Sequence, residues 1–179
     1  SAADVINSRA QKELANIIYQ YGEERRSRAV ARAIVREREV APIVRTAALA
    51  KIIAKAVRGS GRIHPATRTF QALRIYVNRE IEELRKGLVA AERLLAPEGR
   101  LAVVSFHSLE DREVKSFLIA RSGSQPRGSR HRPPDIEEQV ATFQLFRRSA
   151  IRPSQAEIAA NPRSRSARLR VAQRNGVAA

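Results

Sequence analysis

Two polar strings in the chain carry the side chains best suited to chemistry, and the first is SFHSLEDR, from Ser105 to Arg112. It places hydroxyls, an imidazole and carboxylates beside Phe106, whose ring face could stack on a nucleobase or an adenine. The same string also suits a simpler role, in which Ser108 and Asp111 cap a following helix, Arg112 pairs with Glu110 and His107 is a satisfied loop residue. The residues alone leave both interpretations open.

The second string is HPATRTFQALRIYVN, from His64 to Asn78. Arg68 and Arg74 could hold phosphate groups near a helix N-terminus, which favours anions, while Gln71 and Asn78 could read the edges of bases. The alternative is a helix that starts at a proline and carries a solvated polar face. The residues alone favour this alternative, because charges on an outer helix face are usually just hydrated.

The run LAVVSF, from Leu101 to Phe106, predicts the strand that positions the first string. It is short, apolar and rich in valine, which indicates a buried strand. A helix and a tight Pro-Glu-Gly turn precede it, and a helix from about Asp111 to Ala120 follows, an order typical of a parallel α/β sheet. Ligands bind outside the carboxyl ends of the strands in such sheets, where SFHSLEDR lies.

Hydrophobic spacing predicts that much of the remaining chain is helical. Successive helices are expected up to Val57, and one long amphipathic helix from Thr69 to Leu95, because its apolar residues advance by threes and fours. The inward faces expected for the early helices comprise Leu14, Ile17, Ile18 and Tyr21, then Ala29, Ala33 and Ile34, then Leu49, Ile52, Ile53 and Ala56.

Composition shifts and turn residues divide the chain into two parts. A basic segment with Gly59 and Gly61 suggests a helical subdomain over residues 1–63, followed by an α/β domain over residues 64–179. Two further strands are predicted, Thr142–Phe146 and Arg168–Ala172. Residues 121–135, rich in Gly, Ser, Arg and Pro, predict a mobile loop.

The charge balance points to a polyanionic partner. Lys and Arg number 34 against 18 acidic residues, a formal net charge of +16. Arginine dominates this excess and matches phosphate oxygens with two hydrogen bonds, which favours nucleic acid over a membrane surface. No apolar run has the roughly 20 residues of a spanning helix, and no secretory pattern begins the chain, so a cytoplasmic location is expected. The chain has no Cys and three His, so no metal site is expected.

The two polar strings closely resemble motifs of the bacterial S-adenosylmethionine-dependent methyltransferases that modify N4 of a cytidine in 16S ribosomal RNA. The similarity extends to YGEER at Tyr21–Arg25, ARAIV at Ala31–Val35, LAPEGRLAVVSFHSLEDR at Leu95–Arg112, and the tail AANPRSRSARLRVAQR from Ala159. It covers nearly the whole chain. HPATRTFQ and SFHSLEDR are specific enough that chance is a poor explanation.

The resemblance implies an α/β fold, the later part of a Rossmann-like class I methyltransferase sheet with an all-α substrate-recognition subdomain. It also implies S-adenosylmethionine as cofactor and 16S ribosomal RNA, or the small ribosomal subunit, as partner. Family members carry their glycine-rich cofactor loop upstream of the segment that resembles Ser1–Asp4. No such loop follows a strand here, so we expect a fragment that lacks most of the cofactor site and is inactive alone.

Family resemblance also suggests roles for particular side chains. Cytosine N4 is a weak nucleophile because its lone pair is delocalised into the ring, so we expect positioning to dominate catalysis, and we assign no general base. The cytosine or cofactor pocket is expected to include Ser105, Phe106, His107, Ser108 and Glu110. RNA binding is expected at Arg25, Arg32, Arg68, Gln71 and Arg74.

Other interpretations give different experimental outcomes. A non-enzymatic basic RNA-binding module would bind RNA with a steep salt dependence but no cofactor. A helix-turn-helix DNA regulator would explain the first helices but not the LAVVSF strand. If a neighbouring strand is missing, the bare edge of LAVVSF would favour self-association or a homodimer.

Overall fold

The computed structural model describes residues 1–57, 64–123 and 140–176. The chain forms two compact units, Ser1–Glu80 and Ile81–Ala179, called here the helical unit and the sheet unit. Among the described residues, no helix is both long enough and apolar enough to cross a membrane.

The helical unit contains five helices in its described residues: α1 (Ala2–Ser8), α2 (Gln11–Gly22), α3 (Ser27–Val40), α4 (Thr46–Ala56) and α5 (Thr67–Asn78). Helix α2 packs against both α3 and α5, and α4 packs against α3. Because α5 packs on α2, it belongs with the early helices. The division between units therefore falls later in the chain than the boundary predicted near residue 63.

An aliphatic core holds these helices together. Ile18, Val30, Ile34 and Ile53 are fully buried, and burying each such side chain contributes about 1.5–3 kcal/mol. The inward faces predicted for α2 and α4 are confirmed at Leu14, Ile17, Ile18, Leu49 and Ile53. The face predicted for α3 was partly wrong: Val30 and Ala31 are buried beside Ile34, whereas Ala29 is exposed.

The long helix predicted from Thr69 to Leu95 was wrong, because the chain forms two helices, α5 and α6 (Glu80–Leu94). Arg79 separates them in the left-handed conformation, with φ 52°. Its N–H donates to the carbonyls of Ile75 and Tyr76 and so closes the last turn of α5. A single left-handed residue leaves the spacing of apolar side chains almost unchanged, which is why periodicity did not reveal the break.

The sheet unit contains α6 from Ile81 onward, β1 (Arg100–Ser105), α7 (Ser108–Arg121), β2 (Phe143–Leu145), α8 (Gln155–Ala160), a 3₁₀ helix (Pro162–Ser166) and β3 (Arg168–Arg174). The fold class is therefore mixed α/β, as predicted, and all three predicted strands are present. Their order is β1-β3-β2 and both pairings are antiparallel. The parallel arrangement predicted for LAVVSF is not found among the described strands, because the distant strand β3 runs back along β1.

Strand β1 lies at one edge of this sheet, with β3 as its hydrogen-bonded neighbour. Helix α7 packs against the strands over a small core of Leu88, Val114, Leu118, Phe143 and Ala172. The strand was predicted to be buried, but the side chain of Val104 is 54% exposed. The prediction assumed that other elements pack on both faces of this strand, but the described residues leave the side chain of Val104 uncovered.

Helix α7 is longer at both ends than predicted. It begins at Ser108 rather than near Asp111, and it includes Arg121, which the sequence assigned to a mobile loop. Residues 124–135 of that predicted loop lie outside the described residues.

Candidate functional site

The loop that leaves β1 is closed by a reciprocal helix cap. His107 is the N-cap of α7, and its Nδ1 accepts a hydrogen bond from the Glu110 backbone N–H at 3.2 Å. The Glu110 carboxylate accepts in return from the backbone N–H of Phe106, at 2.8 Å, and of His107, at 3.3 Å. The loop therefore does cap the following helix, but the predicted capping residues were wrong: His107 and Glu110 form the cap, and Ser108 and Asp111 do not.

Electrostatics favour the ionised form of this cap. Burial acts to raise the pKa of Glu110, but the nearby His107 ring and the N–H groups of Phe106 and His107 outweigh it and hold the pKa below its ordinary value. Since Nδ1 of His107 accepts a hydrogen bond, the neutral ring carries its proton on Nε2. That Nε2 is buried and lies 3.3 Å from Glu110 Oε1, yet it makes no well-oriented hydrogen bond among the described residues.

The cap holds the Phe106 ring outward. Ser105 is buried, and its hydroxyl donates to the Arg168 carbonyl at 3.3 Å, so the residue before Phe106 is tied to β3. The residues after it are held by the cap, while the Phe106 side chain remains 56% exposed. Ser108 is half-buried at the first position of α7. This end of β1 thus presents one aromatic face on a backbone fixed from both sides.

A partly buried ion-pair cluster that sequence reasoning missed joins α7 to β3. Asp111 accepts from Arg168 Nη1 at 2.8 Å and from Arg170 Nε and Nη2 at 2.7 and 3.2 Å. Burial acts to raise the pKa of Asp111, but the two guanidinium groups outweigh it and lower the pKa. The signal available in the sequence was the spacing of Arg168 and Arg170, which puts both on one face of a strand. Nothing local indicated that Asp111 would meet them.

The second string packs against the YGEER motif within the helical unit. Gln71 Nε2 donates to the Tyr21 carbonyl at 3.4 Å, and Arg68 Nη1 lies 3.5 Å from the Glu23 carbonyl and 4.0 Å from the buried Glu24 carboxylate. A side chain on Gly22 would place its Cβ only 2.4 Å from the Arg68 carbonyl oxygen, so this close approach requires glycine. Arg68 and Gln71 therefore pack against the YGEER segment, although Arg68 is also exposed to solvent.

The remaining predicted RNA-binding residues differ in how far they are already engaged. Arg74 makes a two-pronged ion pair with Glu80, at 2.8 and 2.9 Å, which Asn78 joins through a hydrogen bond of 3.2 Å. Arg25 and Arg32 are exposed. The two polar strings fall in different units, one at the start of α5 and one at the start of α7.

Comparison with known proteins assigns the chain to a family, since the model of the MraW methylase family matches residues 1–175. The chain belongs to the MraW methylase family. A relative from Methylobacterium sp. (strain 4-46) is 59% identical over 177 residues, covering 97% of this chain and 52% of the relative. Another from Nitrobacter hamburgensis is 57% identical over 180 residues, covering 100% of this chain and 54% of the relative.

Both of these MraW-family relatives are named ribosomal RNA small subunit methyltransferase H, as is one from Caulobacter vibrioides that is 54% identical. The family resemblance inferred from the sequence is thus confirmed. The chain spans about half the length of the curated relatives it matches.

Proposed function

We propose that the protein containing this chain transfers a methyl group from S-adenosylmethionine to N4 of a cytidine in 16S ribosomal RNA. The observation that carries the proposal is the fixed, outward-facing Phe106 at the end of β1, in a chain whose relatives are named for methylating small-subunit ribosomal RNA. An exposed aromatic ring on a fixed backbone offers a face on which a flipped base can stack.

The side chains of the first string then divide into contacting and positioning roles. Phe106 stacks on the cytosine that has left its helix, and Ser108 lies in the same wall. Ser105, His107 and Glu110 hold the backbone on either side of the ring, so they act through Phe106. Fixing this ring before the base arrives lowers the entropy cost of aligning a weak nucleophile.

The described residues fit only part of a cofactor site. The buried Nε2 of His107, which has no well-oriented partner among them, is a polar atom that a bound group could satisfy. S-adenosylmethionine would supply the electrophilic methyl group. Phe106, His107 and Ser108 would offer one wall for it or for cytosine.

The helical unit supplies the contacts to the RNA backbone in this proposal. Unstacking a base costs on the order of a few kcal/mol, which phosphate contacts can offset. The contributing side chains are Arg25, Arg32, Arg68, Gln71 and Arg74. Arg74 has to exchange its Glu80 partner for a phosphate, so we expect it to contribute less than Arg32 does.

Methyl transfer by the full-length protein tests the proposal. The substrate is small ribosomal subunits that lack the modification, and mass spectrometry of the digested RNA should identify N4-methylcytidine. F106A should lower the rate about tenfold or more, since stacking of one base on an aromatic ring contributes roughly 1–3 kcal/mol. F146A is the matched control, because Phe146 is a similarly exposed ring in the sheet unit, at 51%. Equal rates for F106A and F146A would remove Phe106 from the site.

A non-enzymatic RNA-binding module is the second candidate, favoured by the net charge of +16. Calorimetry separates the two. A full-length protein that binds RNA but neither binds S-adenosylmethionine nor transfers methyl groups is a binding module.

A further inference from the structure

Helices α3 and α4 enclose a small basic cleft, which we call the α3–α4 cleft. It has a volume of about 240 Å³ and is lined mainly by Ala29, Arg32, Ala33 and Arg36 of α3 and by Ile52 and Lys55 of α4. All of these residues belong to the helical unit. The cleft is smaller than the roughly 300–1,000 Å³ of pockets that enclose drug-sized ligands, so its occupant is a small group or one segment of a chain.

The charge of the cleft is positive. Three cations, Arg32, Arg36 and Lys55, surround it with a single lining carboxylate, Glu37, which pairs with Arg36 at 3.4 Å. Within residues 1–57, 64–123 and 140–176, neither Arg32 nor Lys55 forms a hydrogen bond or an ion pair. Like charges held together repel, and an anion between them relieves that repulsion.

The floor of the cleft is apolar. Ala29, Ala33, Ile52 and Ala56 contribute carbon atoms without hydrogen-bonding groups. The small side chains of Ala29 and Ala33 keep this space open between the two helices. A free inorganic anion gains nothing from such a floor, whereas a nucleotide places its phosphate on the cations and its base or ribose on the carbon surface.

The cations also continue along α3. Arg28, Arg32 and Arg36 recur every four residues, which spaces them roughly 6 Å apart along one side of the helix. A row of regularly spaced cations beside a nucleotide-sized cleft matches an RNA strand whose phosphates follow the helix and whose one nucleotide enters the cleft. Arginine adds two-pronged hydrogen bonds to phosphate and can stack on a base.

We propose that the α3–α4 cleft binds one nucleotide of single-stranded RNA, with its phosphate held by Arg32 and Lys55 and its base or ribose on the alanine floor. This inference rests on the proposed function, because the RNA concerned is the ribosomal substrate. It adds a nucleotide site in α3 and α4 to the RNA contacts proposed for the polar string of α5.

Binding of a single-stranded RNA oligonucleotide to the full-length protein tests the cleft. The double variant R32Q/K55Q should bind about tenfold more weakly, because it loses two charge-assisted contacts to phosphate. The slope of log affinity against log salt should become shallower by about 1.4, at roughly 0.7 for each lost single-strand contact. The control R9Q/K12Q removes the same charge from exposed positions of the helical unit.

A second variant distinguishes binding of a nucleotide inside the cleft from simple attraction of RNA to positive charge. A29L fills the cleft without changing its charge, so it should weaken binding while leaving the salt slope unchanged. A48L adds the same side chain at an exposed position of α4 outside the cleft and is its control. Circular dichroism of each variant checks that the fold is retained.

Three outcomes overturn the proposal. The first is an equal loss of RNA affinity in R32Q/K55Q and R9Q/K12Q, and the second is unchanged RNA binding by A29L. The third is binding of polyglutamate as tightly as RNA with the same loss in R32Q/K55Q, which would identify an acidic peptide as the ligand. Methylation assays on the same variants separate the two proposals. If the wild type transfers no methyl group, the proposed function fails. If it does, but R32Q/K55Q keeps the wild-type KM for RNA, the cleft proposal alone fails.

Discussion

In the helical unit, the largest fully buried side chains are mostly aliphatic, among them Leu14, Ile18 and Ile34. The sheet unit has a smaller apolar cluster and buries the charged side chains of Glu92, Asp111 and Arg174, whereas the charged side chain buried among the described residues of the helical unit is Glu24. The first unit is held mainly by the hydrophobic effect, which depends little on pH. The second relies on ion pairs whose strength depends on the protonation of carboxylates.

Buried charged side chains in the sheet unit connect elements that its small apolar core does not hold together alone. Glu92 accepts from Arg121 Nε and from the Thr142 hydroxyl, each at 2.5 Å, and Arg174 Nε donates to the Glu92 carbonyl at 3.1 Å. These bonds join α6, α7 and β3 across long stretches of chain. A buried ion pair is costly to desolvate, but removing one partner is costlier still.

The largest expected effect is loss of the Asp111 carboxylate. D111A leaves Arg170, whose side chain is only 11% exposed, without its counter-ion, and should cost about 3–5 kcal/mol in the sheet unit. E113A breaks the more exposed Arg85–Glu113 pair and should cost less than about 1 kcal/mol. Urea unfolding followed by hydrogen exchange at β1 and β3 measures both. Equal costs would show that burial does not set the strength of these pairs.

A smaller effect is expected on acidification. The pKa of Asp111, Glu110 and Glu113 is lowered, for Glu113 chiefly through the hydrogen bonds from Arg85. A lowered pKa stabilises the folded state fully above the ordinary carboxyl pKa of about 4, and this stability is lost as the pH falls through the lowered value. The sheet unit should therefore open first as the pH drops below about 4.

The helical unit provides the internal reference for that titration. All three tyrosines, Tyr19, Tyr21 and Tyr76, lie in it and the chain has no Trp, so tyrosine circular dichroism reports this unit alone. If the tyrosine signal and the hydrogen-exchange protection in β3 were lost at the same pH, the two units would not differ in their stability to acid.

The smallest effect concerns the break between α5 and α6. A non-glycine residue in the left-handed conformation costs roughly 1–2 kcal/mol, so R79G should gain up to about 1 kcal/mol after the greater freedom of glycine in the unfolded chain is allowed for. A90G, at an exposed position inside α6, should instead lose about 1 kcal/mol. Thermal unfolding measures both. A loss in both variants would mean that the two helices are continuous in solution.

Prediction from the sequence succeeded where the signal was local. The faces of α2 and α4 followed from residues three and four apart, and all three strands were located by their apolar or alternating runs. It failed at Arg79, because one left-handed residue ends a helix without disturbing that spacing. For the candidate site, the sequence located the loop around Phe106 but did not predict which of its residues form the helix cap. The cap depends on which side chain reaches which backbone N–H group, and that is set by the folded geometry.

By itself, then, the sequence determined the positive charge, the helical and strand segments and the motifs by which the family is known, because each is a property of residues near one another in the chain. Only the tertiary structure decided the antiparallel order β1-β3-β2, the meeting of Asp111 with Arg168 and Arg170, and the alanine-floored cleft between α3 and α4. These features join residues far apart in the chain. Their free energy depends on packing and desolvation in three dimensions, which no local pattern records.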